Sequence, residues 1–376
     1  MQKDSLVLSI RINRVPNFLG FALPFPLALV GAIKISDLDV VLSVLYFLRS
    51  GFQRRVISLF PTILIFVISI SFIFGGLHLN IAKDFINSLF VLLAFTVFTG
   101  IGYNKAKYTL KFILIGALVS LLISCFEKYL INFNLGTQYY SSSGKAIQGF
   151  VTDPNRFGLL LCSSLLIAFE LLGHYKWVKK LIISFLIVGI VLTNSRGALV
   201  VGLVITTIYT YPSLKIFAKG IFFAFLAFGF MNFKVIFNLH PKFLLKSFSL
   251  IEDARYKYLN EIFTSGKLEF FGNGFGSVFR DFDVTSHNTF LEIFYSFGVI
   301  GLVLYIFMVI TIIRRIGLRS KLGFSLFFLA MAYSMIMNLM FNLFFFSFLA
   351  IIYSYGHDKR SVGDLQGRRA FVVYSK

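Results

Sequence analysis

The sequence predicts an all-α polytopic membrane protein with about twelve transmembrane helices and a long outer loop between helices 9 and 10. Composition is the first reason. Of 376 residues 57% are hydrophobic and only 14% charged, and mean hydropathy is +0.84. A soluble domain carries about 25% charged residues. The second reason is the aromatic load, 49 Phe and 17 Tyr, which exceeds what an aqueous core can hide. The third is that basic residues fall in small groups between apolar stretches. These features exclude a cytosolic enzyme, a disordered chain and a secreted disulfide scaffold.

A helix crossing the hydrocarbon core needs about 20 largely apolar residues, fewer where its ends snorkel. On that basis spans are expected near 16–33, 35–48, 56–76, 85–102, 109–131, 153–172, 178–194, 196–211, 215–232, 287–313, 321–339 and 341–356. The first includes Phe18 to Pro26, whose Gly and Pro are tolerated in lipid where neighbouring helices satisfy the freed backbone. It lacks a small-x-small cleavage site, so no removable signal peptide is expected. The sixth opens on Asp153-Pro154, a helix cap followed by Pro at the first helical position. The seventh and eighth, like the last two, are joined with almost no loop. The whole chain, 1–376, reads as one integral membrane domain.

Orientation follows from Lys and Arg. The N-terminus, Arg49–Arg55, Lys105–Lys111, Lys176–Lys180, Lys215–Lys219, Arg314–Lys321 and the C-terminal tail fall on one side. That side holds most of the 36 basic residues against three acids, Asp4, Asp358 and Asp364, and so accounts for the net charge of +20. The positive-inside rule makes it cytoplasmic, with both termini inside. The basicity is therefore a topology signal, and no nucleic-acid partner is expected. Cys125 and Cys162 lie in apolar runs without metal or disulfide spacing and read as packing residues.

The outer face holds the loops worth attention. Residues 233–286 are too long for an idle connection, and Asn132–Gly149 is polar and rich in Tyr, Ser and Gly. No internal repeat stands out, which weakens a transporter built from two similar halves.

Three constellations sit at this face. FGNGFGS, Phe271 to Ser277, precedes SHNTFLEIFYSFGVIG, Ser286 to Gly301. His287 and Asn288 stand where the chain re-enters the membrane, beside the intramembrane carboxylate of Glu292. A His at a wet helix mouth suits a general base or a phosphate donor; His287 and Asn288 equally suit capping of free backbone amides. Gly272, Gly274 and Gly276 point to a tight turn or a close backbone approach and make no nucleotide fingerprint, since no strand precedes them. TNSRGALVVG, Thr193 to Gly202, puts Arg196 at the outer boundary, where its planar fork suits phosphate oxygens or lipid headgroups. VTDPNRFG, Val151 to Gly158, adds Arg156 one turn into a helix. Arg255 lies in the long loop with Tyr258 and Leu259 on one helical face. Asp281 and Asp283, beside Arg280, form too short a pattern to assign a metal.

Together TDPNRFG, TNSRGAL, Arg255 leading into GNGFGS, and HNTFLEIFYSFGVIG resemble the O-antigen polymerase and O-antigen ligase superfamily over residues 140 to 315. The stretch from His287 through Glu292 to Gly298 and Gly301 is the most specific. The resemblance implies a bacterial glycosyltransferase acting outside the cytoplasmic (inner) membrane on an undecaprenyl-pyrophosphate-linked oligosaccharide. Its loop Arg, boundary Arg and His fall on Arg255, Arg196 and His287. Where relatives carry an Arg ahead of the PN pair this chain has Ala146, with Lys145 and Arg156 nearby.

Arg196 and Arg255 would then neutralise the pyrophosphate leaving group. His287 would take the acceptor hydroxyl's proton as its oxygen displaces the pyrophosphate at the anomeric carbon with inversion. Arg156, Asn288, Lys145 and Arg280 are the expected substrate contacts, and Tyr139 and Tyr140 suit stacking on sugar faces. Neither metal nor cofactor is expected. Partners would be membrane lipid, a chain-length regulator and a flippase. A polymerase of surface polysaccharide such as O-antigen or capsule is the leading reading. A ligase moving the finished glycan to a lipid or protein acceptor is the second, and a polysaccharide flippase or transporter the third. Ionisable residues gathered at the outer face favour an enzyme, since a transporter places them in mid-helix pairs or matched broken helices.

Overall fold

The computed structural model describes residues 28–30, 33–34, 91, 95, 98–99, 101–129, 138–141, 144–151, 153–173, 176–210, 270, 272–274, 277–282, 288–316, 320–337 and 345–356. In chain order they form β1 (Ala28–Val30), β2 (Ile33–Lys34), α1 (Gly102–Tyr129), β3 (Gln138–Ser141), β4 (Gly144–Ile147), a 3₁₀ turn (Gly149–Val151), α2 (Pro154–Leu171), α3 (Lys176–Leu192), α4 (Arg196–Thr210), α5 (Ser277–Phe282), α6 (Thr289–Ile316), α7 (Lys321–Ile336) and α8 (Phe345–Gly356). The architecture is helical, relieved by two small antiparallel ladders. Among the described residues three helices, α1, α2 and α6, are long and apolar enough to cross a membrane, and α4, α7 and α8 are shorter apolar helices. The chain is a membrane protein. The spans expected at 35–48, 56–76 and 215–232 lie outside the described residues, as does most of the loop 233–286.

Three sequence expectations change. The end of the span placed at 16–33 is extended, because Ala28 pairs with Lys34 and Val30 with Ile33; β-branched Val30 and Ile33 suit a ladder better than a helix end. The polar loop Asn132–Gly149 contains a hairpin, with Tyr139 opposite Ala146 and Tyr140 opposite Lys145. α1 also starts earlier than its apolar run. Its 28 residues span about 42 Å, more than the roughly 30 Å hydrocarbon core, so Lys105 and Lys107 lie within helix.

The chain forms two compact units, Ala117–Thr264 on one hand and Met1–Gly116 with Ser265–Lys376 on the other. In the first, α2 is the central helix, buried without interruption from Phe157 to Ala168. α4 runs parallel to it, with Cys162 Sγ at the middle of α2 donating to Ala198 O near the start of α4 at 3.4 Å and Phe169 stacked on Tyr209 near the end of both. The buried Cys162 is a packing residue, as expected. α3 returns antiparallel and packs mainly on α2. Glycine makes this closeness possible: a Cβ on Gly189 would lie 2.6 Å from Leu121, and one on Gly202 would lie 3.1 Å from Ile190.

In the second unit α6 and α7 pack antiparallel, and Thr289 Oγ1 near the start of α6 donates to Met337 O just beyond α7 at 2.8 Å. Ser320 caps α7 by accepting from Gly323 N. α8 meets α6 at their C-terminal ends, where Gly356 presses on the Ile316 backbone. Ser354 Oγ donates to Phe98 O at 2.6 Å, and Phe95 meets Phe346 edge to face. The outward stripes are apolar, as lipid requires: Tyr108, Ile115, Leu122 and Phe126 on α1, and Val299, Val303, Ile306 and Ile310 on α6.

Candidate functional site

Two of the sequence constellations meet at one end of the first unit. Asp153 caps α2, its carboxylate accepting from Asn155 N at 2.8 Å and Arg156 N at 2.9 Å. At the neighbouring end of α4, Thr193 Oγ1 closes the last turn of α3 onto Ile190 O. Asn194 takes a left-handed φ of 53°, a conformation Asn tolerates better than most residues. Ser195 then caps α4, its Oγ accepting from Ala198 N at 3.3 Å. The two caps are joined directly, because Ser195 Oγ donates to Asn155 Oδ1 at 2.7 Å. TDPNRFG and TNSRGAL thus share one polar seam, with Ser195 buried inside it.

The hairpin feeds the same seam. Ala146 and Ile147 are buried, and Gly149, with φ of 57°, lets the 3₁₀ turn ride over the ring of Phe157. A Cβ there would come within 2.5 Å of that ring. Phe150 N donates to Ser120 Oγ of α1 at 3.3 Å, fixing the approach to Asp153.

The electrostatics follow. Two parallel helices present their positive ends side by side, which favours an anion. Asp153 and Ser195 already occupy three of the free amides. Arg156 is the third residue of α2 and half-buried; Arg196 is the first residue of α4. Lys145 lies in β4 opposite Tyr140. Arg255 lies outside the described residues.

The other constellation belongs to the second unit. Asn288 caps α6, its Oδ1 accepting from Leu291 N at 3.0 Å while its carbonyl accepts from Glu292 N. His287 lies outside the described residues. Glu292 is buried in the first turn of α6. Arg280 lies in α5, next to Asp281, whose carboxylate accepts from Tyr295 Oη at 2.8 Å. Asp283 lies outside the described residues, and among the described residues no group of three metal-ligating side chains gathers.

One feature escaped the sequence reading. α6 is broken at Gly298, with φ 66° and ψ −162°, a region essentially closed to other residues. A break inside a membrane helix frees carbonyls that must find partners. The glycine loop supplies them: Asn273 N and Gly274 N donate to Tyr295 O and Ser296 O, each at 3.0 Å. The Asn273 side chain adds a second bond to Tyr295 O at 3.2 Å. Gly272 and Gly274 both have positive φ. Gly301, the other glycine of the motif, sits where a Cβ would strike Phe297. Asn155, Ser195 and Asn273 were legible only as polar neighbours of the expected residues, and Gly298 only as a motif position.

No protein-family model and no curated protein matches this chain.

Proposed function

We propose that this protein is a metal-independent glycosyltransferase of a bacterial inner membrane, both termini cytoplasmic. In this reading it joins undecaprenyl-pyrophosphate-linked oligosaccharide units on the outer face. The observation carrying the reading is the Ser195–Asn155 bond, which makes neighbours of two arginine-bearing helix starts. A diphosphate leaving group needs cations. Arg196 and Arg156 stand at those starts, and Arg255 would reach the same group from the long loop. Planar guanidinium forks match phosphate oxygens two at a time, and stabilising developing charge is usually the largest catalytic contribution.

The proton of the acceptor hydroxyl needs a base, and His287 is the side chain for it. Asn288 already takes the cap of α6, so His287 is not required to serve there. The test is reconstitution: purified protein in liposomes with lipid-linked repeat units. A ladder of lengthening lipid-linked glycans supports polymerisation. Transfer of preformed glycan to a separate acceptor, without lengthening, would make the protein a ligase. Passage of the lipid-linked unit across the bilayer with no new glycosidic bond would overturn the enzyme reading.

A further inference from the structure

We propose that the start of α3 binds the headgroup of an anionic bilayer phospholipid, with an acyl chain lying along the helix. The chain has one Trp, and Trp177 stands 85% exposed in the first turn of α3. Its ring is covered by the ammonium of Lys180, 5.5 Å from the ring centre. Lys176 and Lys180 are both exposed beside it. Lys179 points elsewhere, and its Nζ donates to Phe169 O at 2.6 Å, near the end of α2.

Below Trp177 an exposed stripe continues through Leu181, Ser184, Val188 and Val191. The spacing returns to one face of the helix at every turn or two. From Trp177 to Val191 it runs about 21 Å, longer than the roughly 15 Å of one leaflet's hydrocarbon. A stripe of that length, apolar except at Ser184 and headed by an indole and two exposed ammonium groups, complements the layout of a phospholipid. The phosphate would meet Lys176 and Lys180, the indole the carbonyl region, and a tail the aliphatic stripe. A zwitterionic headgroup carries its own ammonium and gains less from two lysines. The inference requires that α3 lies in the membrane with its first turn at the bilayer surface, and it is independent of the proposed chemistry.

The lone Trp makes the test direct. Full-length protein is reconstituted in phosphatidylcholine vesicles doped with brominated phosphatidylglycerol or, at equal bromine content, brominated phosphatidylcholine. Trp177 fluorescence then reports the lipid beside α3 with no other Trp signal. The brominated anionic lipid should quench more strongly. A basic residue near the surface is worth about a fivefold partition of anionic lipid, so Lys176→Gln and Lys180→Gln should each erode the preference by about that factor. Raising salt to about 1 M, where screening acts within about 3 Å, should reduce it too. Equal quenching by the two lipids would overturn the proposal, leaving this face as ordinary lipid-exposed helix. Absence of quenching by either would also overturn it, because no lipid would then reach this face.

Discussion

Gly272 lies against Gly298 backbone to backbone: a Cβ on Gly272 would sit 2.4 Å from the Gly298 amide nitrogen and 2.5 Å from Ser296 O. The end of the loop before α6 is thereby fitted into the break of that helix; Gly272 has no room for a Cβ, and Gly298 holds a conformation essentially closed to other residues. Gly298→Ala must pay for a conformation costing about 1–3 kcal/mol. Gly272→Ala adds a backbone collision to a left-handed conformation that itself costs about 1–2 kcal/mol. Both should lower the melting temperature of the detergent-solubilised protein. Gly173→Ala, with open space around its Cβ, should leave it unchanged. Equal melting of all three would mean that the loop does not hold the break.

This relationship shows what the sequence could and could not display. Gly272 and Gly274 are legible as turn or close-approach residues, since two glycines around an Asn have few other uses. Gly298 is not legible as a break, because FYSFGVIG is apolar throughout and single glycines are common in membrane helices. The break depends on donors from Asn273 and Gly274, more than twenty positions away, and no local pattern reports them. The hairpin at Gln138–Ile147 is hidden for a related reason. Its turn lacks the Asn-Gly signature of short hairpins, and its strands are too polar to show alternation. The caps at Asp153 and Asn288 were readable because capping is decided within four residues.

The polar seam between α2 and α4 predicts coupling. Ser195→Ala removes the Asn155 partner and the α4 cap together, and cap loss alone is typically about 1 kcal/mol. Asn155→Ala removes the bond from the other side. In a double-mutant cycle read by thermal or denaturant unfolding, the pair should show a coupling energy of about 0.5–3 kcal/mol. Strict additivity would dissolve the link between the two motifs.

Orientation is open to chemical labelling in sealed spheroplasts. Lys145 and Lys267 should react with a membrane-impermeant amine reagent, and Lys176 and Lys180 should not. Lys179 is a poor probe for either side, since its ammonium is already bonded to Phe169 O. Labelling of the exposed Lys176 in intact cells would reverse the topology drawn from the basic loops.

Arg196 and Arg314 offer a contrast in chemistry. Arg196→Lys keeps the charge and loses the fork, so polymer formation should fall almost as far as in Arg196→Ala, by roughly 10²-fold or more. Arg255→Lys should behave likewise. Arg314→Ala, at the exposed far end of α6, should be tolerated. Wild-type ladders from Arg196→Lys would remove the bidentate contact with diphosphate.

His287 and Asn288 separate structure from chemistry most cleanly, because the cap of α6 has a known owner. Asn288→Ala deletes the acceptor for Leu291 N and should cost about 1 kcal/mol of stability, while Asn288→Ser, a comparable cap, should cost little. His287→Ser should insert and melt normally yet leave single lipid-linked repeats unextended, a loss of roughly 10²–10⁴-fold if His287 is the base. Chelator should change neither result under a mechanism that rests on Arg and His. A ladder of normal length from His287→Ser would take His287 out of the chemistry. Inhibition by chelator would turn attention instead to Asp281, whose carboxylate already holds Tyr295 Oη, and to its neighbour Asp283.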